Sequence, residues 1–133
     1  MGSYLNPGNA LFKMAVNSQI FVDKSMLIDV TNRYLNTMQR FICVSRPRRF
    51  GKSITADMLT AYYSKGCKSK EMFSDLEIGK QEDFESHLNQ YDVIHIDIQW
   101  FLTNCETPEQ MVAFITKSVL DELRELYSDA LPP

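Results

Sequence analysis

The sequence predicts an α/β fold: a helix-rich chain whose parallel strands are joined by flanking crossover helices. Three observations carry that expectation. Residues 40–45 (RFICVS) and 92–98 (DVIHIDI) are the apolar, β-branched runs of buried strands. The first run leads through a basic loop into apolar residues at helical spacing, and the second precedes a long helix with coincident start signals. The resulting order of strand, loop, helix, helices, strand and helix is that of a parallel sheet with crossovers. Two strong strands are fewer than an ordinary sheet contains. Residues 1–133 are therefore expected to be the N-terminal part of a larger α/β domain, with the missing strands beyond Pro133.

Taken in order, Asn6-Pro7-Gly8 marks a turn and residues 9–16 (NALFKMAV) a short helix. Phe21-Val22 is a brief extended piece. Asp23 is placed to cap a helix from Lys24 to about Leu35, with Leu27, Val30 and Tyr34 on one face. After the strand at 40–45 and its loop, a helix runs from Lys52 to about Ser64, its apolar side formed by Ile54, Met58, Leu59 and Tyr62. Residues 69–88 suggest two short helices around a turn at Gly79. Thr107, Pro108 and Gln110 then supply a cap, a first-turn proline and a capping-box partner. The helix they open keeps Met111, Phe114, Ile115, Val119, Leu123 and Leu126 in register down to Tyr127.

Composition excludes several classes. At 44% hydrophobic and 23% charged the chain is ordinary for a folded domain. Its longest apolar runs fall far short of the ~20 residues that a spanning helix needs. The start MGSYLNPGN has no secretory pattern. Cys43, Cys67 and Cys105 are odd in number and widely spaced, which points to a reducing compartment and a cytoplasmic protein. The net charge of −3 conceals a division. Residues 1–70 carry 11 Lys/Arg against 3 Asp/Glu, whereas residues 71–133 carry 3 against 14. A basic half implies an anionic partner.

The basic charge is focused on Ser45-Arg46-Pro47-Arg48-Arg49-Phe50-Gly51-Lys52-Ser53. A predicted strand feeds this segment and a predicted helix leaves it, the context of a phosphate-binding loop. In that design backbone N–H groups and the helix N-terminus face the phosphates. Gly51 allows close backbone approach, Lys52 reaches the β- and γ-phosphates as the candidate catalytic residue, and Ser53 places its hydroxyl on Mg²⁺. Arg46 stands where G-x-x-x-x-G-K-[ST] has its first glycine. Pro47 lacks an N–H, which shifts part of the phosphate contact to Arg48 and Arg49. A solvated basic turn ahead of an ordinary helix is the plainer alternative.

These strings resemble one family. VDKS at 22–25, RFICVSRPRRFGKSITADML at 40–59, Ala61-Tyr62-Tyr63, DLEIG at 75–79 and YDVIHIDI at 91–98 are similar to the bacterial AAA-ATPase-like proteins. The S-R-P-R-R-F-G-K-[ST] loop is that family's own variant, so Arg46 in place of glycine belongs to the pattern. The resemblance implies an ATP-binding P-loop NTPase domain that uses Mg²⁺ and that a restriction-endonuclease-like domain usually follows in longer members. No nuclease segment is contained in the 133 residues. The resemblance also pairs Asp23-Lys24 with the phosphate loop, where the residues alone allow equally a helix cap and a solvated lysine.

Hydrolysis further requires an acid for Mg²⁺ and a group that orients the attacking water. Asp97, at the end of the second predicted strand, is the candidate acid, against a capping or core-edge role. The resemblance places the principal acid downstream of Pro133, so this chain alone is expected to bind ATP without completing hydrolysis. His87 and His95 stand apart and read as structural residues. The expected partners are a nucleotide, the remainder of the ATPase domain and a C-terminal nuclease-like domain. A second function stays open. Arg46, Arg48 and Arg49 would also serve a nucleic-acid- or phosphate-binding interaction module without NTPase activity, whose affinity would fall steeply with salt.

Overall fold

The computed structural model of the chain describes residues 2–45 and 51–129. It corrects the fold class. The described residues form helices α1 (Ala10–Val16), α2 (Met26–Tyr34), α3 (Lys52–Tyr63), α4 (Lys70–Ser74), α5 (Ile98–Thr103) and α6 (Pro108–Leu126), with a 3-10 turn at Glu77–Lys80. They contain no strand and no parallel sheet, only the isolated bridges Leu5 to Ile94 and Ser64 to Tyr91.

The reason lies in what a strand requires. An apolar run becomes a strand only when a neighbour completes its hydrogen-bond ladder and covers its faces. Residues 41–45 are irregular and solvent-exposed, with Phe41 83% accessible. At 92–98 the extended run is cut short because Asp97 accepts a hydrogen bond from Trp100 N–H at 3.2 Å and starts α5. Ile98, assigned by its alternation to a strand, is therefore the first residue of a helix.

The chain divides into two compact units, residues 8–91 and residues 1–7 with 92–133. In the first, Phe12 of α1, Ile28 of α2, Met58, Ala61 and Tyr62 of α3, and Phe73 of α4 are buried together with Leu76, Ile78 and Phe84. Phe12 stacks on Phe73, and Tyr62 meets Phe73 edge-on. The buried Tyr62 hydroxyl donates to the Phe84 carbonyl at 2.7 Å, which removes the cost of an unpaired phenol. The α2 face also differs from the expected one. Ile28 and Thr31 are buried while Val30 and Tyr34 are about two-fifths exposed. Thr31 earns its interior place because its hydroxyl bonds both the Ile28 carbonyl and the Tyr63 hydroxyl.

Asn89 closes the C-terminal end of α3. Its amide donates to the carbonyls of Ala61, Tyr62 and Ser64 at 2.9, 3.2 and 3.0 Å, and its oxygen accepts from Ser69 N–H. In the second unit, Asn6 exchanges backbone and side-chain hydrogen bonds with Val93. The Glu122 carboxylate of α6 accepts from the N–H groups of Ser3, Tyr4 and Leu5 at 2.6, 2.9 and 2.9 Å. Phe101 is fully buried against Tyr4 and Phe114. At the α6 start Thr107 caps the helix by accepting from Gln110 N–H, while the Gln110 side chain accepts from Glu106 N–H, one residue ahead of the capping-box position.

Candidate functional site

The site grows from the first turn of α3. Gly51 is its N-cap at φ +81°, ψ +24°, the left-handed region that a residue with a Cβ enters only at a cost. Its N-cap, Gly51, has no side chain with which to cap it, and no acidic residue occupies its first turn. Lys52 and Ser53 are exposed at its start. A twelve-residue helix carries roughly half a positive charge at such an end, through N–H groups that lack intrahelical acceptors.

A second lysine comes to the same place from 28 positions earlier in the chain. The Lys24 ammonium sits 2.9 Å from the position a Cβ on Gly51 would occupy. Gly51 is favoured by its left-handed φ, and a Cβ there would also displace the Lys24 ammonium.

Asp23 is engaged differently from Lys24. Its carboxylate accepts from Ser25 N–H at 2.8 Å and from Glu77 N–H at 2.9 Å, which ties the segment before α2 to the 3-10 turn. Burial pushes this carboxyl up, but the Ser25 hydroxyl, the two backbone N–H groups and the Lys80 charge outweigh it, and its pKa ends below the ordinary aspartate value. The helix itself begins at Met26 with the fully buried Ser25 in the cap position, two residues later than the spacing suggested. Asp23 anchors the stretch that carries Lys24.

Beside Gly51 and Lys24 lies a cavity of about 320 Å³. Phe12 and Ala15 of α1, Phe21 and Val22, and Ile54 and Met58 of α3 line it. These residues come from three separate stretches, so no periodicity in the sequence marks them as one surface. The one available signal was the apolar Ile20-Phe21-Val22 run directly before Asp23-Lys24.

The remaining predicted residues fall as follows. Arg46, Pro47, Arg48, Arg49 and Phe50 lie outside the described residues. Asp97 is exposed and belongs to the other unit, as the N-cap of α5. His87 shares a hydrogen bond with the Tyr91 hydroxyl. Among the described residues no group of three or more His, Cys, Asp or Glu is placed to hold a metal ion. Mg²⁺ commonly keeps its waters and takes phosphate oxygens with few protein ligands. The exposed Ser53 hydroxyl fits that sparse donor set.

A left-handed glycine, Lys24, Lys52 and Ser53 thus lie together at the start of α3. The chain belongs to the AAA-ATPase-like family: the model described as Predicted AAA-ATPase matches residues 10–131. No curated protein and no solved structure matches the chain. No helix among the described residues is long and apolar enough to cross a membrane.

Proposed function

We propose that this chain binds ATP with Mg²⁺ through the variant phosphate loop 46–53. The observation that carries the reading is the approach of Lys24 to Gly51 at the start of α3. Family membership supports it, since the family is described as a predicted AAA-ATPase. In this reading the first N–H groups of α3 face the phosphates, and Lys52 and Lys24 supply charge from two directions. Arg46, Arg48 and Arg49 add cations from the loop. Ser53 holds Mg²⁺, which when bound neutralises phosphate charge. Asp23 takes part as an anchor, because its two backbone hydrogen bonds restrict the segment from which Lys24 extends.

The test is equilibrium binding of Mg-ATP to the wild type and to Lys52→Ala. Saturable binding weakened tenfold or more by the substitution is the expected result. Equal binding by the two proteins would refute the assignment. Affinity that ignores Lys52 and ATP while collapsing with added salt on a polynucleotide would support a nucleic-acid module instead.

A further inference from the structure

The geometry points to Asp23 and Ser25 as positioning residues that set the Lys24 ammonium at the start of α3 by gripping the 3-10 turn at Glu77–Lys80. This rests on the phosphate reading above and assigns what holds one of its cations in place.

Three observations lead there. First, the two chain neighbours of Lys24 reach consecutive amides of one turn. Asp23 Oδ2 accepts from Glu77 N–H at 2.9 Å, and the buried Ser25 Oγ accepts from Ile78 N–H at 3.1 Å. The second carboxylate oxygen, Asp23 Oδ1, accepts from Ser25 N–H at 2.8 Å and ties the two grips to each other. Both oxygens are engaged, and a side-chain amide has only one to offer. Second, the turn is a firm seat. Ile78 is buried in the core with Phe73 and Leu76. Gly79 lies so close to the end of α4 that a Cβ on it would stand 2.7 Å from the Ser74 Cα. Third, Lys24 is itself exposed, yet its ammonium ends beside Gly51. Holding its backbone from both sides removes part of the ordering cost that a phosphate ligand would otherwise meet. Asp23 and Ser25 direct these acceptors at the turn and act on the ligand through Lys24.

The experiment is calorimetric titration of the full chain with Mg-ATP. It compares the wild type, Ser25→Ala, Asp23→Asn, Lys24→Ala and the two double variants that join Lys24→Ala to each of the others. Ser25→Ala changes no charge, and Asp23→Asn removes a negative one, which by itself favours a polyanion. A loss of affinity in either is therefore geometric. Each should weaken Mg-ATP about threefold to tenfold beside an intact Lys24, and less than about twofold once Lys24 is alanine. A general structural role would cost the same in both backgrounds, and that result would overturn the inference. Full affinity in Asp23→Asn would overturn it too. Asp23 is exposed, so this variant decides the matter even if Ser25→Ala fails to fold. Lys24→Ala that binds like the wild type, while Lys52→Ala is weakened, would overturn this inference and leave the phosphate loop standing. Absence of Mg-ATP binding, or binding indifferent to Lys52→Ala, would overturn the phosphate reading and this one with it.

Discussion

Replacing Gly51 by alanine separates the conformational demand of the α3 start from its charge. At φ +81° an L-residue with a Cβ pays about 1–2 kcal/mol relative to its ordinary conformations. Alanine recovers about 0.4–1 kcal/mol by narrowing the unfolded ensemble. The net loss is therefore about 1 kcal/mol, or about 3–6 °C in melting temperature for a chain of this size. The new methyl group would also stand 2.9 Å from the Lys24 nitrogen. That nitrogen ends a flexible side chain and moves aside at little cost to stability, but it moves away from the proposed phosphate position. Thermal unfolding and Mg-ATP titration of Gly51→Ala, Lys24→Ala and the double variant resolve the two effects. Lys24→Ala should lower ATP affinity. The double variant should keep the full stability loss of Gly51→Ala. A Gly51→Ala protein that melts with the wild type, or a loss rescued by Lys24→Ala, would refute the conformational argument.

Other substitutions test the scaffold. Gly79→Ala should destabilise by about 1–3 kcal/mol in denaturant titration, because its Cβ would press on the Phe73 carbonyl and lie 2.7 Å from the Ser74 Cα, backbone that cannot yield cheaply. Asn89→Ala should cost about 2–4 kcal/mol by the same measurement, since it strips acceptors and donors from the α3 end at once and leaves a methyl-bearing residue at φ +54°. Burial raises the Glu122 pKa, but the N–H groups of Leu5, Tyr4 and Ser3 outweigh it and hold the group below its ordinary value. Its stabilisation is thus present above the unfolded-state pKa and lost as pH falls through the lower folded-state value. Acid titration followed by near-ultraviolet dichroism should show this loss in the wild type and a flatter profile in Glu122→Gln.

Elements governed by local interactions are legible in the sequence. The Thr107-Pro108-Gln110 start of α6 follows from side chains that reach backbone groups a turn away. Lys52 as the first residue of α3 and Gly51 as its special neighbour were legible for the same reason. The strands were not, because a strand is decided by distant partners. RFICVS has the composition of a buried strand and is exposed, and DVIHIDI yields to the helix that Asp97 caps. Aspartate followed by Ile-Gln-Trp-Phe-Leu-Thr was an available start signal for α5 that the alternation of isoleucines obscured. On α2 the apolar Val30 and Tyr34 suggest the wrong inner face, because the burial of Thr31 depends on the Tyr63 hydroxyl supplied by α3. The proximity of Lys24 to Gly51 is likewise tertiary. Periodicity does not encode it, and only the family resemblance had put the two segments together.

Backbone hydrogen exchange with and without Mg-ATP tests the central claim most directly, because it reports on the α3 start itself. If nucleotide phosphates occupy that terminus, the amides of Lys52, Ser53 and Ile54 exchange more slowly in the presence of Mg-ATP, and the protection disappears in Lys52→Ala. Saturating Mg-ATP that leaves those three amides unprotected would contradict the account.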